Sequence, residues 1–325
     1  MSLNLSGKKI LFLGIGFYDY EDAIKKELEE LGANVTYFSD KFPSEKSLIF
    51  KIFANLTSIN TDSIRKRYYA GILRRVKNDA FDYVLVVKGE LLPETFISTL
   101  RVKLKKAHFI MYQWDALIRV PTAINQFTYF DKVFSFDRVD CLNYSELNFR
   151  PLFYREQSTA DNLAIKFDIS FVGLQHSNRL AFVKKLSSWC DTNKLNYFFY
   201  MTTGIHFYFK KLFSGEGIFL HINRMSYKRV TEIFMSSKSI LDFPNPLQVG
   251  LTMRTIEAVG FKKKLITTNQ DIVNYDFYNK NNILVINDDF SEINKDFINS
   301  EYSQIPESVL NKYSLRSWVS DVFQV

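Results

Sequence analysis

Residues 8–16 read KKILFLGIG, a short apolar run that ends in a glycine turn. Residues 22–31 follow with apolar side chains at helical spacing, and Gly32 ends this predicted helix. Residues 34–38 predict a second strand. A strand, a glycine turn, a helix and a strand in this order are typical of the start of a doubly wound α/β domain.

The same plan recurs along the chain and then restarts. Predicted strands at 83–87, 109–112, 132–136 and 149–153 complete a first series, and a second series begins with 168–172, which Gly173 ends. Later predicted elements are helices at 178–189, 227–235 and 251–259 and strands at 197–201, 217–221, 239–243, 264–267 and 283–286. Residues 154–166 are less regular and indicate a linker. The sequence therefore predicts two Rossmann-like α/β domains facing across a cleft, at residues 1–155 and 165–312.

Composition narrows the class of protein. The 325 residues are 46% hydrophobic and 24% charged, which is typical of a globular chain of two domains. Two cysteines, Cys141 and Cys190, exclude a disulfide scaffold and a four-thiolate zinc site and favour a reducing compartment. The four histidines lack metal-ligand spacing, so no metal site is expected. No apolar run approaches the roughly 18 residues of a membrane span, so we expect a cytoplasmic protein.

The opening glycines, Gly14 and Gly16, form only part of a dinucleotide-binding motif. The full pattern G-x-G-x-x-G requires glycine where this sequence has Asp19, and a carboxylate there repels a pyrophosphate. This argues against a nicotinamide oxidoreductase. The two glycines either form a tight turn or bring backbone close to a substrate hydroxyl in the cleft.

Two carboxylates follow predicted parallel strands of the first half. Glu90 and Asp115 come just after the strands at 83–87 and 109–112, and ligands of open α/β sheets bind at that edge. A carboxylate there can act as a general base toward a hydroxyl or as a nucleophile. The alternative is that either residue caps the following helix. Trp114 either stacks on a sugar face or belongs to the core.

The strongest pattern lies in the second half, where residues 242–260 read DFPNPLQVGLTMRTIEAVG. A strand ends, a loop crosses the sheet edge, and a helix is predicted to start near Leu251, with the free N–H groups and dipole that suit a phosphate. Arg254 and Glu257 share a helix face, so Arg254 can neutralise a diphosphate and Glu257 can accept hydrogen bonds from ribose hydroxyls. The alternative is a surface ion pair. The predicted nucleotide-binding residues are Asn245, Gly250, Leu251, Thr252, Arg254 and Glu257.

A weaker site is predicted where the second series begins. Gly173 and Asn178, with Arg179, follow the strand at 168–172, where a phosphate or the acceptor side of the cleft would be met. A plain strand–helix turn is the alternative.

Several of these segments resemble a known family. The segment 250–258, GLTMRTIEA, resembles glycosyltransferases of the GT-B fold, and the segments 112–115 (YQWD), 129–137 (YFDKVFSFD) and 150–154 (RPLFY) are similar to bacterial enzymes of lipopolysaccharide and capsule biosynthesis. The resemblance implies a C-terminal domain that binds a nucleotide sugar and an N-terminal domain that binds the acceptor. It places Glu257 at the ribose and Arg254 near the phosphates.

The sequence departs from the family's common pattern at one position and matches it at the C-terminal helix. Val249 stands where the family commonly has a second glutamate, which leaves a CMP-activated sugar acid such as Kdo open as donor beside a hexose. The helix predicted at 315–323, within a final segment 313–325, matches the family's C-terminal helix that returns to the first domain. No bound metal is implied.

The basic residues are concentrated in one segment. Residues 65–106 contain eleven Lys and Arg against four Asp and Glu, interleaved with aromatic and aliphatic side chains. This favours either contact with anionic lipid or an ordinary solvated helix face, and no motif indicates nucleic-acid binding. The leading hypothesis is a glycosyltransferase of bacterial surface glycans (lipopolysaccharide, O-antigen or capsule). A non-catalytic nucleotide- or sugar-binding module is the alternative from another class.

Overall fold

A computed structural model describes residues 4–14, 19–41, 61–78, 80–155, 163–287, 290 and 292–324. The chain divides into two compact units. The first unit comprises residues 1–151 together with 315–325, and the second comprises residues 152–314. The expected linker begins just after this division, and its residues 156–162 lie outside the described part of the chain.

The first unit is built on a six-stranded sheet whose neighbours all pair in parallel. The strands stand in the order β2-β1-β3-β4-β5-β6. They are β1 Lys9–Gly14, β2 Asn34–Ser39, β3 Tyr83–Val87, β4 His108–Gln113, β5 Lys132–Ser135 and β6 Leu147–Phe149. Strands β3 and β4 are almost wholly buried apolar runs, as parallel strands covered on both faces must be.

The helices of the first unit include one from the end of the chain. They are α1 Tyr20–Glu30, α2 Thr61–Arg75, α3 Glu94–Lys103, α4 Arg138–Asn143 and α11 Leu315–Phe323, with a 3₁₀ segment at Pro121–Tyr129. Trp318 of α11 is fully buried, and its ring meets that of Tyr112 edge-on at 4.8 Å. An ion pair of 2.8 Å joins Arg150 to Asp321. The final helix is thus part of the first unit's core.

The second unit repeats the plan with a second six-stranded sheet, again with all neighbours parallel. Its order is β12-β11-β10-β7-β8-β9. The strands are β7 Phe167–Leu174, β8 Tyr197–Thr202, β9 Leu220–His221, β10 Ser237–Asp242, β11 Lys264–Thr267 and β12 Ile283–Val285. The helices are α5 Arg179–Thr192, α6 Ile205–Phe213, α7 Tyr227–Met235, α8 Met253–Gly260, α9 Lys295–Asn299 and α10 Glu307–Leu310, with 3₁₀ segments at Gln270–Asn274 and Asn311–Tyr313.

Each sheet has one place where the strand order reverses direction. In the first unit this switch point lies between β1 and β3, and in the second it lies between β7 and β10. Ligands of doubly wound sheets bind beyond the carboxyl ends of the strands at such a point, because the connecting loops diverge there. The switch points therefore direct attention to the ends of these four strands.

Most predicted elements are confirmed, and the differences have local causes. The strand predicted to end at Gly173 continues to Leu174, because residues 173 and 174 still pair with β8. The helix predicted from Leu251 begins two residues later, since the Thr252 hydroxyl caps it by accepting from the Thr255 amide. The strand predicted at 149–153 lies instead at β6, which ends at Phe149. Helix α6 was not predicted.

Among the residues that the structure describes, no helix combines the length and apolar character required to span a bilayer.

Candidate functional site

The switch point of the second unit is organised around a buried carboxylate. Asp242, the last residue of β10, is fully buried, and its Oδ1 pairs with Arg254 at 2.6 Å and accepts from the Thr252 hydroxyl at 2.8 Å. Its Oδ2 accepts from the Thr255 hydroxyl at 3.0 Å. We call these four residues the Asp242 cluster. It joins the end of a strand to the first turn of α8.

Arg254 crosses from α8 to the other side of the switch point. Its Nε and Nη2 donate to the Val172 carbonyl oxygen of β7 at 3.0 and 2.8 Å, and its guanidinium lies 4.6 Å from the centre of the Phe171 ring. With the bond to Asp242, protein groups engage three of the five N–H donors that a guanidinium carries. Arg254 therefore links β7 to β10 through the helix between β10 and β11.

A second arginine converges on the same place. Arg179, the first residue of α5, donates to the carbonyl oxygens of Leu174, at 2.6 Å, and Phe243. Its guanidinium also faces the Phe171 ring, at 5.3 Å from the ring centre. A β-carbon at position 173 would lie 2.6 Å from Arg254 Nη2 and 3.4 Å from Arg179 Nη1. Gly173 is thus what allows both guanidinium groups to approach β7.

The electrostatics of this switch point favour an anion. Two buried or nearly buried guanidinium groups lie beside a single carboxylate, so the local charge of these three groups is positive. The first turn of α8 adds the positive end of its helix dipole. The charge of this arrangement suits a phosphate group.

Glu257 occupies a different environment from Arg254. Glu257 is only 3% exposed, and it lies beside Tyr227, whose hydroxyl it influences through its charge. Burial and the charge of Glu257 raise the pKa of that hydroxyl, while the charge of Arg155 acts to lower it. The Arg155 guanidinium lies 3.3 Å from the centre of the Tyr227 ring. Arg254 therefore forms its ion pair with Asp242, twelve residues earlier, and not with Glu257, which lies beside Tyr227.

The remaining predicted nucleotide-binding residues lie along the β10–α8 loop. The Asn245 side chain accepts from the Leu247 amide at 3.0 Å, and the Gly250 carbonyl accepts from the Gln248 side chain at 3.0 Å. Leu251 is buried. Asn178 precedes α5 without making a side-chain capping bond. These contacts fix the loop at the same edge of the sheet as the Asp242 cluster.

The first unit has a charged cluster at the ends of β3 and β4. Lys88 Nζ lies 2.6 Å from Asp115 Oδ2 and 2.8 Å from Glu90 Oε2, and Arg119 Nη1 lies 2.7 Å from Asp115 Oδ1. We call these four residues the Lys88 cluster. Burial acts to lower the pKa of Lys88, but the charges of and hydrogen bonds to Asp115 and Glu90 outweigh it, and that pKa is raised.

The backbone beneath this cluster is held in an uncommon conformation. Lys88 and Gly89 both have φ near +69°, and a lysine in the left-handed region is strained by about 1 kcal/mol or more. The Lys88 amide donates to the Tyr112 carbonyl at 2.9 Å, and the buried Gln113 side chain donates to the Lys88 carbonyl at 2.8 Å. These bonds hold the turn so that Lys88 faces both carboxylates.

The two predicted carboxylates are not equivalent. Both oxygens of Asp115 are engaged, and its side chain is 17% exposed. Glu90 is 42% exposed, and its Oε1 makes no ion pair or hydrogen bond with the described residues. The alternative of helix capping applies to neither residue, because the helical segments that follow are preceded by Pro93 and Val120 and have no side-chain capping bond. Glu90 is the carboxylate with an oxygen available to a ligand.

The other residues predicted at this edge are largely enclosed. Trp114 is 8% exposed and meets the Tyr20 ring edge-on at 6.0 Å. Gly14 ends β1, and a β-carbon there would lie 2.8 Å from the Glu21 side chain. Gly16 lies outside the described residues.

Sequence reasoning missed the residues that complete both clusters. Asp242 and Lys88 each directly follow or end an apolar strand, which is the signal that could have identified them. The approach of Glu257 and Arg155 to Tyr227 leaves no such signal, because it depends on tertiary packing. No group of three or more His, Cys, Asp or Glu side chains suited to a metal ion occurs within the described part of the chain.

Comparisons with known proteins show the fold. No protein-family model and no curated protein matches the sequence. Among solved structures, the chain is similar to AviGT4, a glycosyltransferase involved in avilamycin A biosynthesis, with a TM-score of 0.58 and 10% identity over 98% of this chain and 97% of that one. It is similar to a putative UDP-N-acetylglucosamine 2-epimerase from Listeria monocytogenes, with a TM-score of 0.53 and 11% identity over 98% and 97%. The chain therefore has a GT-B-like fold of two Rossmann-like units, each on a parallel sheet.

Proposed function

We propose that this protein is a glycosyltransferase that transfers a sugar from a nucleotide-activated donor to a glycan acceptor of the bacterial surface. The observation that carries the proposal is the Lys88 cluster, in which the half-exposed Glu90 is held at the carboxyl edge of the first unit's sheet. The fold alone does not decide the reaction, because one fold supports several chemistries.

The second unit supplies the donor site in this proposal. Arg254 and Arg179 would bind the phosphates, together with the β10–α8 loop and the first turn of α8. Glu257 would accept from the ribose hydroxyls on exchanging its contact with Tyr227. Fixed positive groups stabilise the departing phosphate through charge alone, so the reaction requires no metal ion.

The first unit supplies the base. Glu90 Oε1 would accept the proton of the acceptor hydroxyl, while the oxygen of that hydroxyl forms a bond to the anomeric carbon of the sugar. The bond from the anomeric carbon to the phosphate oxygen breaks, and the nucleotide leaves with its electron pair. Asp115, with both oxygens engaged, would hold Lys88 in place and act as a positioning residue.

We specify the donor only by its chemical class. The sequence has Val249 where the resembled glycosyltransferases commonly have a second glutamate, so a CMP-activated sugar acid is the alternative to a nucleoside diphosphate hexose. A non-catalytic nucleotide- or sugar-binding module is the alternative outside catalysis. It would retain the Asp242 cluster and would not require Glu90.

The acceptor is proposed to be a growing lipopolysaccharide, O-antigen or capsule chain, presented at the cytoplasmic membrane face. The charge of residues 65–106 would attract anionic lipid. Two of its interleaved side chains, Tyr69 and Ile72, are buried in the first unit's core and do not contribute, whereas Val102 is exposed. In this segment the proposed contact is therefore mainly electrostatic.

A nucleotide screen tests the donor site. We expect UDP, GDP, ADP or CMP to raise the melting temperature of the full chain, with one base preferred, since a ligand stabilises the state that binds it. Calorimetry should then show weaker binding for the paired variant Asp242→Asn/Arg254→Gln, which removes both charges together. The variant Glu90→Gln should bind the nucleotide as the wild type does. Equal binding by all three proteins would contradict the donor assignment.

A further inference from the structure

Helix α6 of the second unit presents an apolar stripe to solvent. Phe207 and Tyr208 pack inward against the core of the unit. The outward apolar residues recur at positions i, i+4, i+7 and i+8, which is the spacing of a single helix face. They are Ile205, Phe209, Leu212 and Phe213, followed just beyond the helix by Ile218, with exposed fractions of 37%, 43%, 46%, 86% and 75%.

The stripe is continuous. The rings of Phe209 and Phe213 lie 6.3 Å apart between centres and 28° from parallel, so they form one surface. Clusters of exposed large apolar side chains are uncommon on proteins that act only in water, and they mark sites of contact with a protein or a membrane. The α6 face is thus an interaction surface.

The surrounding charge identifies the partner. Residues 192–231 contain six Lys and Arg against one acidic residue, Glu216, a net charge of +5, although Asp191 and Glu232 border this segment and Glu232 pairs with Arg229. Glu216 is itself engaged, since it pairs with Lys211 and lies 4.0 Å from Lys184. Lys210 lies on the exposed side of α6. An apolar stripe within a strongly basic segment is complementary to a surface that is both anionic and apolar.

We propose that α6 docks the protein onto an anionic lipid bilayer. The stripe would enter the boundary between headgroups and acyl chains, and the lysines would lie against lipid phosphates. A second copy of the chain fits this face less well, because a two-fold contact would bring two segments of net charge +5 together. The proposal stands independently of the proposed reaction.

Vesicle flotation of the full-length chain tests this surface. One set of vesicles would contain phosphatidylcholine alone, and the other would contain two thirds phosphatidylcholine and one third phosphatidylglycerol. The wild type should float with the anionic vesicles and far less with the neutral ones. The double variant Phe209→Ser/Phe213→Ser should lower the partition coefficient about tenfold or more, because it removes two rings from the inserted stripe. Lys210→Gln, which removes one charge, should lower it about fivefold.

Matched variants make the result decisive. Leu142→Ser changes a side chain that is 81% exposed on α4 of the first unit, and it should bind vesicles as the wild type does. Thermal unfolding of each variant should coincide with that of the wild type, since the changed side chains are on the surface. Failure of the wild type to float, or undiminished binding by the double variant, would overturn the proposal. So would a wild-type dimer in analytical ultracentrifugation that the double variant dissociates.

Discussion

The Asp242 cluster and the Lys88 cluster occupy similar places in their own sheets but differ in burial. Both follow the carboxyl ends of parallel strands, and both pair aspartate with arginine. Asp242 is fully buried and bonded to one arginine and two threonines, whereas the Lys88 cluster includes Glu90, which is 42% exposed and has an oxygen with no partner among the described residues. The buried Asp242 carboxylate chiefly holds Arg254 and the first turn of α8 in place, whereas the half-exposed Glu90 carboxylate can meet a substrate.

The largest expected effect comes from breaking the buried pair. Asp242→Ala would leave the Arg254 guanidinium without its counter-charge and two threonine hydroxyls without their acceptor. We expect the free energy of unfolding to fall by about 3–5 kcal/mol, measured by urea denaturation. The paired variant Asp242→Asn/Arg254→Gln should recover at least half of that loss. A fall of less than about 1 kcal/mol for Asp242→Ala would remove the contrast between the two clusters.

The next effect concerns activity without stability. Glu90→Gln should lower turnover about 10²–10³-fold, because an amide cannot take the acceptor's proton. Its free energy of unfolding should stay within about 0.5 kcal/mol of the wild-type value, as for other surface substitutions. Glu94→Gln, the same change at an exposed position on α3, should retain full turnover. Equal activity of the two variants would exclude Glu90 as the base.

A smaller effect is expected at the glycine beneath the arginines. The β-carbon of Gly173→Ala would lie 2.6 Å from Arg254 Nη2 and 3.0 Å from the Phe171 ring, so Arg254 must move. We expect a loss of about 1–3 kcal/mol in unfolding free energy, with weaker nucleotide binding. Gly204→Ala is the control, because a β-carbon there meets nothing within 4 Å. Similar losses of unfolding free energy for Gly173→Ala and Gly204→Ala would show that the close approach of Arg254 to Gly173 is not required.

The smallest effect is a pH dependence of the Lys88 cluster. Burial acts to lower the folded-state pKa of Lys88, but its carboxylate partners outweigh this effect, and the pKa is raised. Its contribution is therefore fully present below the ordinary lysine pKa of about 10.4 and is lost as pH rises through the higher folded-state value. Thermal unfolding between pH 8 and pH 12 should show the wild type losing about 1 kcal/mol or less relative to Lys88→Met. Parallel curves would contradict this coupling.

The sequence predicted the elements well wherever local pattern determines them. Helix α7 and strand β11 have the predicted bounds, because apolar spacing and, for α7, the Ser226 cap define them locally. Helix α6 was not predicted, although its exposed apolar residues recur at helical spacing.

The site was predicted less completely, for a physical reason. The position of Arg254 on the first turn of a helix follows from local sequence, but its partners Val172 and Asp242 are 82 and 12 residues away. The left-handed conformation of Lys88 likewise depends on its hydrogen bonds with Tyr112 and Gln113 on the neighbouring strand. Such long-range contacts decide which charged groups are engaged and which are available.

Sugar transfer itself tests the central claim most directly. Full-length protein would be incubated with UDP-, GDP-, ADP- and CMP-activated sugars and with lipid-linked surface-glycan acceptors, and products would be analysed by mass spectrometry. We predict an acceptor heavier by one sugar residue with release of one equivalent of nucleotide, both strongly reduced in Glu90→Gln. Binding of a nucleotide without transfer to any acceptor would contradict the account and indicate a non-catalytic binding module.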